Sequence, residues 1–348
     1  MKQSTSIRFL VPIVFGLFCF VAFQNHAVAQ VITIKVANWF PVGSKHDLVL
    51  KEWSEDLQKR AGGKVKVNYY PAGTLVPAAQ QYDAVVRGIA DVSNAVLGYT
   101  MGRFPFSYVL DYPIGWPIDS EQGAVPTIIA NEFYKKFKPK EFDDVKVLFF
   151  HGEPGGFMST RDRPVTKLDD MKGLKIRCFG TNAKFVSSLG GAPVAMPASE
   201  AYDALSKGVV EGIMQPYEAL QTFRTGECIK YSTLNVKSAY GGTFVVSMNK
   251  RKFNSLPSDV QATIDKMSDE YMLKYGKAWA ELTADGKTWL KTRGVKFISL
   301  SPQEEDQWFE KGTKPILAAY VKDMKAKGLP GEEAVKFLLD SINKYRKQ

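Results

Sequence analysis

An arginine leaving a short apolar run is the residue of this chain best placed to do chemistry. Gly173-Leu174-Lys175-Ile176 reads as a strand that delivers Arg177, and a second strand ends at Gln215-Pro216-Tyr217. In open α/β folds ligands sit beyond the carboxyl ends of strands, and a guanidinium there offers a planar fork of donors that fits a carboxylate. Taken alone, the residues leave a structural salt bridge as an equal alternative for Arg177 and a turn role for Gln215 before Pro216. The pattern favours recognition of a small acid over bond chemistry.

Other chemistries find little support. Beyond the first thirty residues the histidines are His46 and His151, too few for a histidine metal cluster or an easily assembled Ser/His/Asp set. His151 ends a strand and reads as a hydrogen-bonding residue near a hinge. There is no phosphate loop of the Gly-x-x-x-x-Gly-Lys-Ser/Thr type and no convincing Gly-x-Gly-x-x-Gly, so neither ATP use nor any cofactor is expected. The acid pairs Asp169-Asp170, Glu304-Glu305 and Glu332-Glu333 fall at helix starts, where carboxylates favour the positive end of the dipole. The formal charge is +10, but the lysines are scattered among acids, which describes a solvated surface and lacks the basic stripe of a nucleic-acid binder.

The amino terminus sets the compartment. Lys2 and Arg8 precede an apolar run from Phe9 to Phe23 and a small-x-small site, Ala27-Val28-Ala29, so residues 1–29 read as a secretory signal peptide with Gln30 as the new terminus. The run is shorter than the roughly 20 residues of a membrane span and is broken by Pro12. Cys19 follows bulky Phe18, where lipid attachment wants a small residue. Export leaves Cys178 and Cys228, expected as free thiols with a disulfide left open.

The elements that must hold Arg177 can be read from periodicity. Ile32 to Ala37 is a strand, followed by a helix carrying Leu48, Leu50, Trp53 and Leu57. Val65 to Tyr69 alternates as a strand, Ala79 to Arg87 reads as a helix stopped by Gly88, and Ile89 to Ala95 as the next strand. Such alternation indicates an α/β domain with a largely parallel sheet. Ala84-Val85-Val86-Arg87-Gly88-Ile89-Ala90-Asp91 is echoed by Ala204-Leu205-Ser206-Lys207-Gly208-Val209-Val210-Glu211, which suggests two related lobes facing a cleft. Val145 to His151 and Thr243 to Asn249 are extended segments suited to hinges. A helical pattern over 257–293, about 50 Å long at 1.5 Å per residue, could brace both lobes. The tail, Glu332 to Tyr345, is a separate amphipathic helix.

In order along the chain, Tyr70-Pro71-Ala72-Gly73-Thr74-Leu75, Asp169-Asp170-Met171-Lys172-Gly173-Leu174-Lys175-Ile176-Arg177, Met196-Pro197-Ala198-Ser199-Glu200-Ala201-Tyr202, Val210-Glu211-Gly212 and Met248-Asn249 resemble the extracytoplasmic (DctP-type) receptors of tripartite ATP-independent periplasmic, or TRAP, transporters. The resemblance covers essentially the whole exported chain. It implies the α/β, two-lobed periplasmic solute-binding fold, with lobe I at 30–152 plus 242–282 and lobe II at 153–241 plus 283–348. It also implies a small organic acid as ligand, membrane permease subunits as partners, a monomer, and no enzymatic activity. Arg177 corresponds to the family's carboxylate clamp and Gln215 to a residue whose amide helps bind the same carboxylate.

One departure is informative. Phe157 stands where sialic-acid receptors of this kind carry a further arginine, which puts a second anion clamp in doubt. With Trp39, Phe40, Phe179, Tyr217 and Tyr240 at loop positions, it suggests an apolar or aromatic ligand body, and Asn94 could add a polar contact from the first lobe. Some keto-acid receptors hold a metal through an acid in the second strand-end motif; here Met214-Gln215-Pro216-Tyr217-Glu218 argues against one, with Glu218 the acid that remains. A periplasmic enzyme acting on a small acid, or a ligand sensor for a receptor kinase, are the alternative readings.

Overall fold

The computed structural model describes residues 31–346, so the expected signal peptide, Cys19 included, lies outside the described residues. Ten strands form the sheet system. They are β1 (Ile32–Ala37), β2 (Val65–Tyr70), β3 (Val92–Val96), β4 (Val145–Thr160), β5 (Lys175–Cys178), β6 (Ala192–Ala195), β7 (Gly212–Gln215), β8 (Tyr231–Leu234), β9 (Tyr240–Asn249) and β10 (Lys296–Ser299). The first lobe is built on the order β2-β1-β3-β9-β4 and the second on β6-β5-β7-β4, with β8 on the other side of β4 and β10 beyond it. The outer strands pair in parallel, as the alternation of strands and helices predicts, whereas β9 and β4 run antiparallel to their neighbours.

The first helices are α1 (Lys45–Arg60), α2 (Gln81–Arg87), α3 (Val125–Phe137), α4 (Ala183–Ser188), α5 (Ala198–Ser206) and α6 (Tyr217–Thr222). After β9 come α7 (Lys250–Asn254), α8 (Ser258–Thr292), α9 (Pro302–Trp308), α10 (Lys314–Ala326) and α11 (Gly331–Arg346). On α1, Val49, Leu50, Trp53 and Leu57 are buried, while Leu48 points outward at half exposure.

The internal echo is repeated bond for bond. Gly88 and Gly208, both with φ near +70°, end α2 and close the turn after α5. The N–H groups of Ile89 and Val209 then turn back to the carbonyls of Ala84 and Ala204, each at 2.9 Å. The N–H of Asp91 reaches the Lys35 carbonyl and that of Glu211 the Lys175 carbonyl, at 2.9 and 2.8 Å. Each acid side chain returns the bond, accepting from Lys35 N at 2.7 Å and Lys175 N at 3.1 Å. This turn-back explains why β3 begins at Val92, three residues later than the apolar run suggests.

The strand β4 serves both lobes. Its first part pairs with β9 and its last part with β7 and β8, with a register break between Glu153 and Gly156. The 35-residue α8 lies across both: Ile264, Met267, Tyr271 and Tyr275 pack into the first lobe's core, and Leu290 into the second's. The tail departs from expectation. Ala334, Leu338 and Ile342 of α11 pack with Ile129, Phe133 and Phe150, so this helix covers the first lobe. Its apolar stripe needs an apolar partner, and the free flank of α3 supplies one. Helix α10 spans the two, with Ile316 in the second lobe's core and Tyr320 and Met324 in the first's. Cys178 and Cys228 are free.

Candidate ligand-binding site

Arg177 is fixed by the strands on either side of it. Strand alternation sends Ile176 into the second lobe's core and Arg177 to the opposite face, where the side chain is 1% exposed. Its Nε and Nη2 donate to the Met196 carbonyl at 3.1 and 2.8 Å, and Nη1 donates to the Met214 carbonyl at 3.4 Å. Carbonyls orient the guanidinium without neutralising it. Two of its five N–H groups are not used by these bonds.

Gln215, at the end of β7, is set by one bond. Its Oε1 accepts from the Thr225 hydroxyl at 2.6 Å, which directs Nε2 away, and that nitrogen is buried with no hydrogen-bond partner. Arg177 and Gln215 together line a narrow cavity of about 20 Å³ between the lobes. Trp39, Phe40, Phe244 and Trp279 supply its first-lobe wall, and Phe179, Phe223 and Tyr240 face them. The Trp39 ring lies parallel to Phe223 across the cleft, 5.7 Å between centroids. A second inter-lobe contact is the Ala198 N–H donating to the Tyr99 hydroxyl at 2.9 Å. Close approach at the β4–β9 crossing depends on Gly156, since a Cβ there would sit 2.1 Å from the Tyr240 ring.

Six of the nine residues proposed from sequence therefore line this cavity: Arg177, Gln215, Trp39, Phe40, Phe179 and Tyr240. The other three do not. Phe157 lies opposite Gln215 in the sheet and so on the Arg177 face, but the Tyr217 ring covers it at 4.6 Å, burying both in the second lobe's core. Tyr217 is itself closed over by Phe297 at 5.8 Å. Asn94 stands behind the wall, where its Oδ1 accepts from His151 Nε2 at 3.0 Å. Trp279 Nε1 donates to His151 Nδ1 at 3.1 Å, which completes a chain of partners that fixes the imidazole tautomer and the tilt of the wall indole. Burial keeps that imidazole uncharged by lowering its pKa well below the ordinary value.

Two acids also stand on the cavity wall, of which sequence reasoning missed Glu153 and weighed Glu218 only as a metal ligand. Glu153 sits at the register break of β4, pressed against Gly242, where a Cβ would lie 2.1 Å from its carboxylate oxygen. Burial, helped by nearby Asp111 and opposed by Arg177, pushes its carboxyl up to about 8. Asp111 is also held up, to about 8, by burial against the Thr243 N–H that bonds it at 2.8 Å. Glu218, in the first turn of α6, is 1% exposed, and burial and then the Glu153 charge raise its pKa well above the usual carboxylate range. An acid inside the strand-like run His151-Gly152-Glu153-Pro154 was the available signal for the first. For Glu218 the signal was its place three residues after Gln215 in the second strand-end motif.

The arrangement sets an anion-orienting end against walls of rings; at about 20 Å³ the space between them is that of roughly one water, so seating a ligand body requires the lobes to part. It offers no activated nucleophile: both ring nitrogens of His151 are engaged, and burial pushes the Cys178 thiol up to about 11. Residues 38–323 match the profile of the bacterial extracellular solute-binding proteins, family 7, or DctP. The chain is 27% identical to the C4-dicarboxylate-binding periplasmic protein DctP of Rhodobacter capsulatus over 82% of this chain and 85% of that one. A TRAP solute-binding protein from Rhodoferax ferrireducens T118 in complex with copurified benzoate superposes with a TM-score of 0.80 at 26% identity, covering 91% of this chain and 99% of the other. A marine-metagenome TRAP solute-binding protein specific for aromatic acid ligands, in complex with metahydroxyphenylacetate, gives 0.81 at 27% identity, covering 90% and 99%.

Proposed function

Since this chain belongs to the family 7 bacterial extracellular solute-binding proteins, the periplasmic receptors of TRAP transporters and not enzymes, we propose that its ligand is an organic monocarboxylate with an aromatic or apolar body. The carrying observation is that the Arg177 guanidinium and the free Gln215 amide face a cavity walled mainly by rings. One guanidinium neutralises one carboxylate, and a second carboxylate would lie among Glu153 and Glu218 with no cation to meet it. That argues for a monocarboxylate although a dicarboxylate receptor is among the relatives.

On this reading the ligand bridges the lobes and shifts the population toward closure, and membrane permease subunits recognise the closed form. The long strands β4 and β9 carry the hinge. The leader sequence sends the chain to the periplasm, where it works as a monomer. A thermal-shift screen of the exported chain against benzoate, phenylacetate, succinate, pyruvate and glucuronate tests the proposal, because a ligand at 100 times its Kd stabilises by about 2.7 kcal/mol. Selective stabilisation by the aromatic acids is expected. Stabilisation by succinate or glucuronate alone would overturn the aromatic monocarboxylate assignment.

A further inference from the structure

Glu218 is unusual among the cavity residues in having both carboxyl oxygens buried without a hydrogen-bond partner. The nearest basic group, His46 Nε2, is 3.9 Å away, beyond hydrogen-bond reach, and burial holds that ring uncharged by lowering its pKa to about 3. No ion pair therefore accounts for the acid's place on the wall. Its position is nonetheless built: Gly286 of α8 lacks the Cβ that would stand 2.9 Å from the Glu218 N–H, and this lets the first turn of α6 press against the long helix. Buried polar groups without partners are few in folded proteins, and each calls for an explanation.

Resting on the aromatic monocarboxylate reading, we infer that Glu218 is a second polar anchor of the cavity and selects acids whose body carries a neutral hydroxyl remote from the carboxylate. A neutral carboxyl has one O–H to give and a carbonyl oxygen to receive, and a hydroxyl can answer both. A second carboxylate would find no counter-charge at this anchor. An ammonium group would need the acid ionised in a place where burial opposes ionisation. A site that hydrogen-bonds a ligand hydroxyl discriminates against the analogue lacking it, because its own polar atoms are then left unpaired.

The test is calorimetric titration of the exported chain with benzoate, 3-hydroxybenzoate, 4-hydroxybenzoate and 4-(aminomethyl)benzoate. In the unmodified protein one hydroxybenzoate should bind at least about tenfold more tightly than benzoate. That ratio should fall to about one in Glu218→Leu and stay above about threefold in Glu218→Gln, whose amide can still donate and accept. The melting temperature of Glu218→Leu should not fall, since the variant removes an unpaired polar group; a fall would assign the residue a structural role and count against the anchor. Equal affinities for benzoate and both hydroxybenzoates, a preference that survives in Glu218→Leu, or tightest binding of the ammonium acid would each overturn the inference while leaving the aromatic reading intact. Failure of all four acids to bind would remove that reading and this inference together.

Discussion

The two walls of the cleft are built on different principles. The second-lobe wall carries the charge: Arg177 and Gln215 stand at strand ends, oriented by backbone carbonyls and one threonine hydroxyl. The first-lobe wall is made of rings, and its polarity is spent internally, in the chain from Trp279 through His151 to Asn94. One lobe can therefore orient an anion while the other removes its body from water, and neither wall suffices alone. Directional bonds demand preset donors, whereas burial demands only area and shape.

Removing the charge should have the largest effect. Arg177→Ala is expected to weaken binding of an aromatic acid by at least about a hundredfold, in line with a cost of 2–5 kcal/mol for truncating one partner of a buried charged pair. Calorimetry on folded protein checks this, and affinity within tenfold of the unmodified chain would mean that the anion sits elsewhere. On the ring side, Trp39→Leu should cost about tenfold for benzoate and much less for acetate, since it removes stacking area and leaves the clamp. Equal losses for both acids would place the defect in lobe closure and not in the wall.

A smaller effect should follow pH. An ordinary glutamate ionises near 4.5, and Glu153 keeps its proton up to about 8. Between those values the folded chain binds more protons than the unfolded one, so this group's contribution to stability declines as pH rises through the window. Above about 8, ionised Glu153 would also repel a carboxylate held by Arg177, together with Asp111 and Glu218 as they ionise. Affinity should drop about three- to tenfold between pH 7 and 9, and Glu153→Gln should flatten the profile; an unchanged slope in that variant would assign the titration to its neighbours. Smallest of all, Asn94→Ala should lower stability by about 1 kcal/mol through the lost His151 bond and weaken binding only severalfold. Chemical denaturation and titration of the same sample measure both.

Much of this was legible in the sequence because strand ends and helix stops are written locally. Arg177 follows a four-residue run, Gly88 and Gly208 end helices through backbone angles that favour glycine, and the 3.6-residue period of α8 survives over its full length. What was not legible depended on a third body. Phe157 has the strand parity of a cavity residue, yet Tyr217 lies over it. Asn94 lies inside β3, yet His151 claims its oxygen. Glu218 is visible in the strand-end motif, but its burial depends on Gly286, which lets α6 press against α8. The tail helix shows its apolar stripe plainly, but a stripe does not say which of two lobes it will cover.

The shared strand has a consequence for how the chain reaches its native state. Both β3 and the first part of β4 find their partner in β9, so Val145 pairs with Asn249 and Val92 with Met248. The first lobe cannot complete its sheet from the residues that precede the second; it must wait for β9, which follows strands β5 to β8 of that lobe. Pairings so distant in sequence carry a high loop-closure cost and fold slowly. Residues 31–152 expressed alone should therefore remain unfolded, and the whole chain should refold in a slow phase in which the two lobes gain protection from hydrogen exchange together.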